Sequence, residues 1–172
     1  MDRALLACSL LLAAWPAASA VNAPAVPPPL QPSAAEAPAF MLRAEGVHVF
    51  ECRPNANGGY QWVFTNPDVT LSDGTTERAI EVSPNTFEAS TDRSTVSGRV
   101  RAVAGAGADN LPWMLLSARS TPDDGLFAGV TSVQRVNTSG GVAPRDGCGE
   151  YTVGTEMRAA FSADYYFYRR RG

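Results

Sequence analysis

Alternation with a period of two governs what this chain folds into. From Thr95 to Ala104, Val96, Val100, Ala102 and Ala104 fall on one side, and Thr95, Ser97, Arg99 and Arg101 on the other. A strand half-buried in an antiparallel sheet has that pattern. Gly98 interrupts the apolar side, where a bend or bulge is expected. Tyr60, Trp62 and Phe64 share one face of another strand. Further strands are expected at Glu45–Cys52, Val69–Leu71, Ala79–Val82, Thr86–Ala89, Trp113–Ser120, Phe127–Asn137 and Met157–Tyr168. Turn-forming clusters separate them: Asn57-Gly58-Gly59, Asp73-Gly74, Pro122-Asp123-Asp124-Gly125 and Ser139-Gly140-Gly141. No capped segment of helical period interrupts the series after the first residues. Short strands at this spacing specify an all-β fold, either a single antiparallel β-sandwich or a partly closed β-barrel. Val47–Cys52 and Asp164–Tyr168 are apolar on both faces, which places the first and last strands inside the sheet system, side by side.

Residues 1–20 have the form of an export signal. Met1-Asp2-Arg3 precedes an apolar run, Ala4–Ala14, broken only by Ser9, and Ala18-Ser19-Ala20 has the small-x-small form of a cleavage site. Neither this run nor any later one is long enough for a membrane-spanning helix, so no integral span is expected. Cleavage after Ala20 would release the chain to the periplasm or the exterior. Leu5-Leu6-Ala7-Cys8 looks like a lipoprotein box, but it sits too early and the apolar run continues past it. Residues 21–38, with Pro27-Pro28-Pro29 at the centre, form a flexible Ala/Pro-rich lead-in, and 39–172 form one domain. Cys8 leaves with the signal, so Cys52 and Cys148 remain to form one disulfide.

Several stretches resemble domain-of-unknown-function family 3455. They are Gly46–Cys52, Gly59–Phe64, Thr86–Ala89, Pro112–Leu116, and above all Gly125–Thr138 continuing through Gly140–Pro144 to Gly147-Cys148, with the ending Tyr165-Tyr166-Phe167-Tyr168. The resemblance runs in order from Met41 to Tyr168. It implies an exported β-rich domain and implies no activity. His48 departs from the family pattern, where Gln is more usual, which weakens a catalytic role for it. Gly105-Ala106-Gly107-Ala108-Asp109-Asn110 lacks the third glycine and the strand-to-helix setting of a dinucleotide site.

Composition removes several chemistries. The net charge of −3 and the lack of a basic stripe argue against nucleic acid, and Arg169-Arg170-Arg171 reads as a solvated terminal tail. The chain has 14 Arg and no Lys, so lysine Schiff-base and lysine general-base mechanisms are excluded. His48 is the only histidine. Beside Phe50 and Cys52 in mid-strand it reads as a structural, hydrogen-bonded residue, and no catalytic residue is assigned. Two distant cysteines and one histidine make no metal site, and no cofactor is implied. Glu51, Glu88, Glu156 and Asp164 are carboxylates that would serve glycoside hydrolysis if two were held roughly 5–9 Å apart, but surface and turn roles are favoured for them. Asn137-Thr138-Ser139 fits the N-glycosylation pattern, which matters only in a eukaryotic secretory pathway.

The candidate binding residues cluster at one strand end, Gln134, Arg135 and Asn137. Buried polar groups need partners, and Glu51 or Glu88 would supply a carboxylate. One outcome is an internal Arg–carboxylate clamp. The other is a polar group at a pocket mouth walled by Trp62 or Trp113. Three functions follow, in order: a secreted or envelope non-enzymatic domain binding a small molecule or glycan, a carboxylate-dependent hydrolase, and a structural or partner-binding module. The oligomeric state is not set by the sequence. Thiol titration of the exported protein, denatured without reductant, should find no free thiol. One or more would contradict the bridge or the loss of Cys8.

Overall fold

A computed structural model of the protein describes residues 21–121 and 124–172. The expected export signal lies outside the described residues, as do Pro122 and Asp123 of one expected turn. Eight strands follow one another: β1 (Glu36–Pro54), β2 (Tyr60–Ser72), β3 (Glu77–Ser83), β4 (Thr86–Ala89), β5 (Thr95–Ala104), β6 (Trp113–Thr121), β7 (Val130–Gly140) and β8 (Glu156–Arg170). Each pairs antiparallel with its sequence neighbours, and β1 pairs with β8, so one sheet closes in a ring. The described residues contain no α-helix, and none of their helices is long and apolar enough to cross a membrane. The all-β expectation holds, and its barrel-like form is the one adopted.

The ring is closed but irregular. β1 and β8 pair from Glu36↔Arg170 to Glu51↔Glu156, with one register shift between Pro38 and Phe40. By contrast, β2 and β3 pair only between Thr70–Ser72 and Glu77–Ile80. The rest of β2, from Tyr60 to Val69, bonds to β1 alone. Two expected strands, Tyr60–Phe64 and Val69–Leu71, are therefore one, and Pro67 is tolerated because the side toward β3 carries no ladder there.

The core fills the ring. Leu42, Leu71, Phe87, Val96, Leu116, Val133, Tyr165 and Phe167 are buried together. Phe87 meets Tyr165 edge-on at 4.9 Å between ring centroids, and Phe40 stacks on Phe167 at 4.7 Å. The expected alternation of β5 holds at Val96, fails at Val100 and returns at half-buried Ala102 and Ala104. A register shift between Val100 and Ala102 leaves Val100 48% exposed. Gly98 does not make that bulge. A Cβ at Gly98 would lie 2.6 Å from Leu116 Cδ1, so its bareness makes room for the core leucine. Phe127, expected in a strand, sits in the turn before β7 and closes one end of the ring. Its N–H donates to Ser94 Oγ (3.2 Å), and that of Leu126 to Asp92 Oδ2 (2.8 Å).

The lead-in corrects a sequence expectation. β1 begins at Glu36, inside the segment read as flexible, and Leu30 is fully buried. Pro28–Leu30 form a turn of 3₁₀ helix. On the outside of the sheet Gln134 Nε2 donates to the Leu30 carbonyl (2.5 Å), and the Tyr168 hydroxyl donates to Gln134 Oε1 (2.5 Å). Period and composition did not reveal this docking because proline-rich chain carries no alternation.

Cys52, near the end of β1, is bonded to Cys148 in the β7–β8 connection, with 5.3 Å between Cα atoms and a sequence separation of 96. Cross-linking a loop of that size removes about 4–5 kcal/mol of unfolded-chain entropy. Cys52→Ser should lower the unfolding free energy by several kcal/mol in urea titration. A loss under about 1 kcal/mol would show that the bridge constrains little.

Candidate functional site

The C-terminal ends of β1, β3, β5 and β7 and the N-terminal ends of their even-numbered neighbours form the second end of the ring. A cavity of ≈ 310 Å³ opens there, and its walls include Phe50, Phe64, Leu111, Met114 and residues 141–143. The missing β2–β3 ladder helps make it, since Phe64 of β2 and Glu81 of β3 both line the space. Gly140 and Gly141, at φ +67° and +78°, turn the chain out of β7 and across this end. A Cβ at Gly141 would lie 2.7 Å from the Phe161 ring, so a side chain has no room there. The connection that follows is held by the disulfide and by Trp62 Nε1, which donates to the Asp146 carbonyl (2.9 Å).

Three ionisable side chains line the cavity, all nearly inaccessible: His48 (7% exposed), Glu81 (6%) and Arg135 (5%). His48 lies 4.5 Å from the Phe161 ring and 5.0 Å from that of Phe64. Burial first, and then the charge of Arg135, lowers its pKa to about 4, against a backbone hydrogen bond at Gly141 that raises it. The imidazole is neutral at physiological pH. It is part of the cavity wall.

Glu81 Oε1 accepts the Asn85 N–H (2.8 Å), whereas Oε2 is buried with no partner. Asn85 holds φ +58°, the left-handed conformation that Asn tolerates in a tight turn after proline. Burial raises the Glu81 carboxyl to about 7, opposed by the Asn85 N–H and by the charge of Arg135. Arg135 donates from Nη2 to the Pro112 carbonyl (3.0 Å) and lies 5.9 Å from the centroid of the Phe161 ring. Its Nε and the Tyr165 hydroxyl are both buried without a partner in hydrogen-bonding geometry; burial and then the charge of Glu81 push that hydroxyl upward, and the nearby Arg135 guanidinium opposes them. The charge of Arg135 acts on Glu81 without a direct ion pair between them.

Of the residues nominated by sequence, Arg135 alone lines this cavity. Gln134, its neighbour, faces outward and fastens the lead-in. Neither Glu51 nor Glu88 partners them. Glu51 pairs with Arg53 (2.9 Å), and Glu88 with Arg93 (2.9 Å). Asn137, at φ +51° where the β7–β8 register shifts, donates to Asp164 Oδ2 (2.8 Å). Trp62 lines a separate shallow depression with Tyr60 and Cys148, and half-buried Trp113 pairs with Ala104 at the start of β6. The cavity walls are thus phenylalanine, leucine and methionine rather than tryptophan. A larger hollow, ≈ 780 Å³, lies along β5 and β6, but it is lined by exposed Arg99, Ser117 and Arg119 beside Gly98 and offers no buried polar group.

Sequence inspection missed Glu81. The strand Ala79-Ile80-Glu81-Val82 invites Ile80 and Val82 to face the core, yet these are 38% and 46% exposed while Ala79 and Glu81 point inward. The neglected signal was Pro84-Asn85, a tight turn that ties Glu81 to the loop.

The pH dependence of folding follows from these shifts. Glu81 holds its proton in the fold up to about 7, whereas the unfolded group ionises near 4.5, so it withdraws stability as pH rises across that range. His48 acts oppositely. The unfolded group takes a proton near 6.5 and the folded one only near 4, so stability is lost as pH falls. Glu81→Gln removes the first effect alone. Its stability relative to the unaltered protein should rise by roughly 2–3 kcal/mol between about pH 4.5 and 7.5 in urea titrations. A difference that does not vary with pH would contradict an inward, ionisable Glu81.

Neither a curated protein nor a solved structure matches the chain. A family model described as a protein of unknown function (DUF3455) matches residues 79–169. That span runs from β3 into β8 and carries Glu81 and Arg135, while Gly46–Cys52 and Gly59–Phe64, which also suggested the family, lie before it. With more than half of its length matched, the chain belongs to the DUF3455 family.

Proposed function

We propose that the protein is an exported, non-enzymatic domain that binds a small, largely apolar molecule in the cavity at the disulfide end of the ring. One observation carries this: a cavity of ≈ 310 Å³ with aromatic and aliphatic walls is lined by Arg135 and Glu81, and each has a buried polar atom, Nε and Oε2, with no partner. Ligand sites combine apolar walls with a few polar groups in this way, and volumes of about 300 Å³ lie at the small end of their range. A buried polar atom left unpaired costs about 1–3 kcal/mol, more for a charged group, which a suitable ligand would relieve. Export rests on residues 1–20 and on the disulfide, a bond that persists in oxidising compartments. A glycan is the poorer fit, because neither Trp62 nor Trp113 reaches the cavity. Hydrolysis by two carboxylates is disfavoured, because Glu81 is the only carboxylate among its lining residues. A partner-binding role would use the free side of β2 from Tyr60 to Val69, but Pro67 interrupts it.

A thermal-shift screen with small aromatic and aliphatic compounds tests the proposal. Occupancy at about 100 times Kd stabilises by about 2.7 kcal/mol, a rise of several degrees in Tm for a domain of this size. Met114→Trp should fill the cavity, keep the fold and cancel the shift. No saturable binder, together with no molecule retained in native mass spectra, would remove the proposed function.

A further inference from the structure

The walls of the cavity also select the chemistry of what fills it. Arg135 is charged at every accessible pH, and its Nε points no hydrogen bond at protein. A cationic ligand would be repelled by it, and a neutral one would leave that charge without a counterion beside largely apolar walls. A carboxylate satisfies it. The obstacle is Glu81, which lines the same cavity from β3, since two carboxylates brought close together do not both stay ionised. Glu81 lacks a partner at Oε2, and so has an atom free to carry a proton and donate it in a hydrogen bond. The other ionisable groups here do not interfere, since His48 is neutral and the Tyr165 hydroxyl stays protonated. Phe50, Phe64, Leu111 and Met114 supply apolar contact for the remainder of the molecule.

We infer that the cavity takes a small organic carboxylic acid with an apolar or aromatic body, its carboxylate set between Arg135 and a protonated Glu81. The assignment rests on the cavity being a binding site, as proposed above. The balance is one ligand anion per chain, with one proton drawn from solvent only where free Glu81 is ionised, above about pH 7. The enclosed space suits a molecule of about ten to fifteen non-hydrogen atoms.

Isothermal titration of the exported full chain with three near-isosteric probes, phenylacetate, 2-phenylethanol and 2-phenylethylamine, tests this. Phenylacetate should bind at least tenfold more tightly than the alcohol at about pH 5.5, and the amine should not bind. At about pH 8.5, heats measured in buffers of different ionisation enthalpy should show uptake of nearly one proton. Affinity should fall by more than tenfold between about pH 7 and 8.5. Glu81→Gln should abolish the proton uptake and flatten that dependence while keeping the preference for the acid. Arg135→Gln should erase the preference. Because the Glu81→Gln variant retains the arginine, the test survives if the Arg135→Gln variant does not fold. Tighter binding of the alcohol or the amine would overturn the carboxylate assignment and leave the small-molecule proposal standing. So would binding of compounds from the thermal-shift screen with none of the three probes bound. Phenylacetate binding without proton uptake would remove Glu81 from the assignment and overturn it as stated. Silence from the probes and the screen alike would end both.

Discussion

The β1–β8 ladder is the contact on which the rest of the fold depends. Every other pairing in the ring joins strands adjacent in sequence, so each closes only a short loop. The β1–β8 ladder alone joins the two ends of the domain, from Glu36↔Arg170 to Glu51↔Glu156. Such a contact costs the most loop-closure entropy and removes both outer edges of the sheet at once. It also fixes which residues point inward. A slip of one residue would turn Leu42, Ala44 and His48 out of the ring and break their apposition to Phe161, Tyr165 and Phe167. The disulfide supports the same junction from beyond the ladder. The Cys52 N–H donates to the Thr155 carbonyl (3.0 Å) just before β8 begins, and the Cys52 sulfur is bonded to Cys148.

The two ends of the ring differ because their connections differ. At one end Phe127 enters the core, and Asp92 and Ser94 hold its turn in place. At the other, β2 and β3 separate above Thr70, and the β7–β8 connection arches over rather than filling the gap. Phe50 and Phe64 meet edge-on at 5.7 Å on the cavity wall but leave space between themselves and Glu81. The irregularity that keeps the sheet from being a regular barrel is therefore the feature that supplies a cavity.

What was legible in the sequence follows the same physics. β4 and β5 carry the bounds that alternation gave them, because period-two patterning is a local property. The Cys52–Cys148 bond was legible by elimination. Arg135 stood out because a charged residue in an apolar strand must find an environment, although its neighbours could not be known from order along the chain. Gln134 stood out for the same reason and proved to be a fastener on the opposite face. The docked lead-in left no local trace, since Leu30 is buried by β5 and β6, far away in sequence. The tryptophans misled for a simple reason. An aromatic residue near a strand end suits a cavity and a surface depression equally well, and three-dimensional closure decides between them.

Glu81 is the most informative failure. Local patterning asks Ile80 and Val82 to point inward, and the ring instead buries the glutamate and exposes the two aliphatic residues. Conflicts between local pattern and global fold are uncommon in natural sequences and concentrate where something other than stability is at stake. Burying Glu81 and Arg135 apart, each with an unpaired atom, is unfavourable in two ways. It strips water from two ionisable groups and forgoes the close ion pair that would offset the loss. Apolar residues of similar volume would serve the core better. Under the proposed function, the two groups that line the cavity are kept there to meet a third group, and that is the gain set against the cost of burying them.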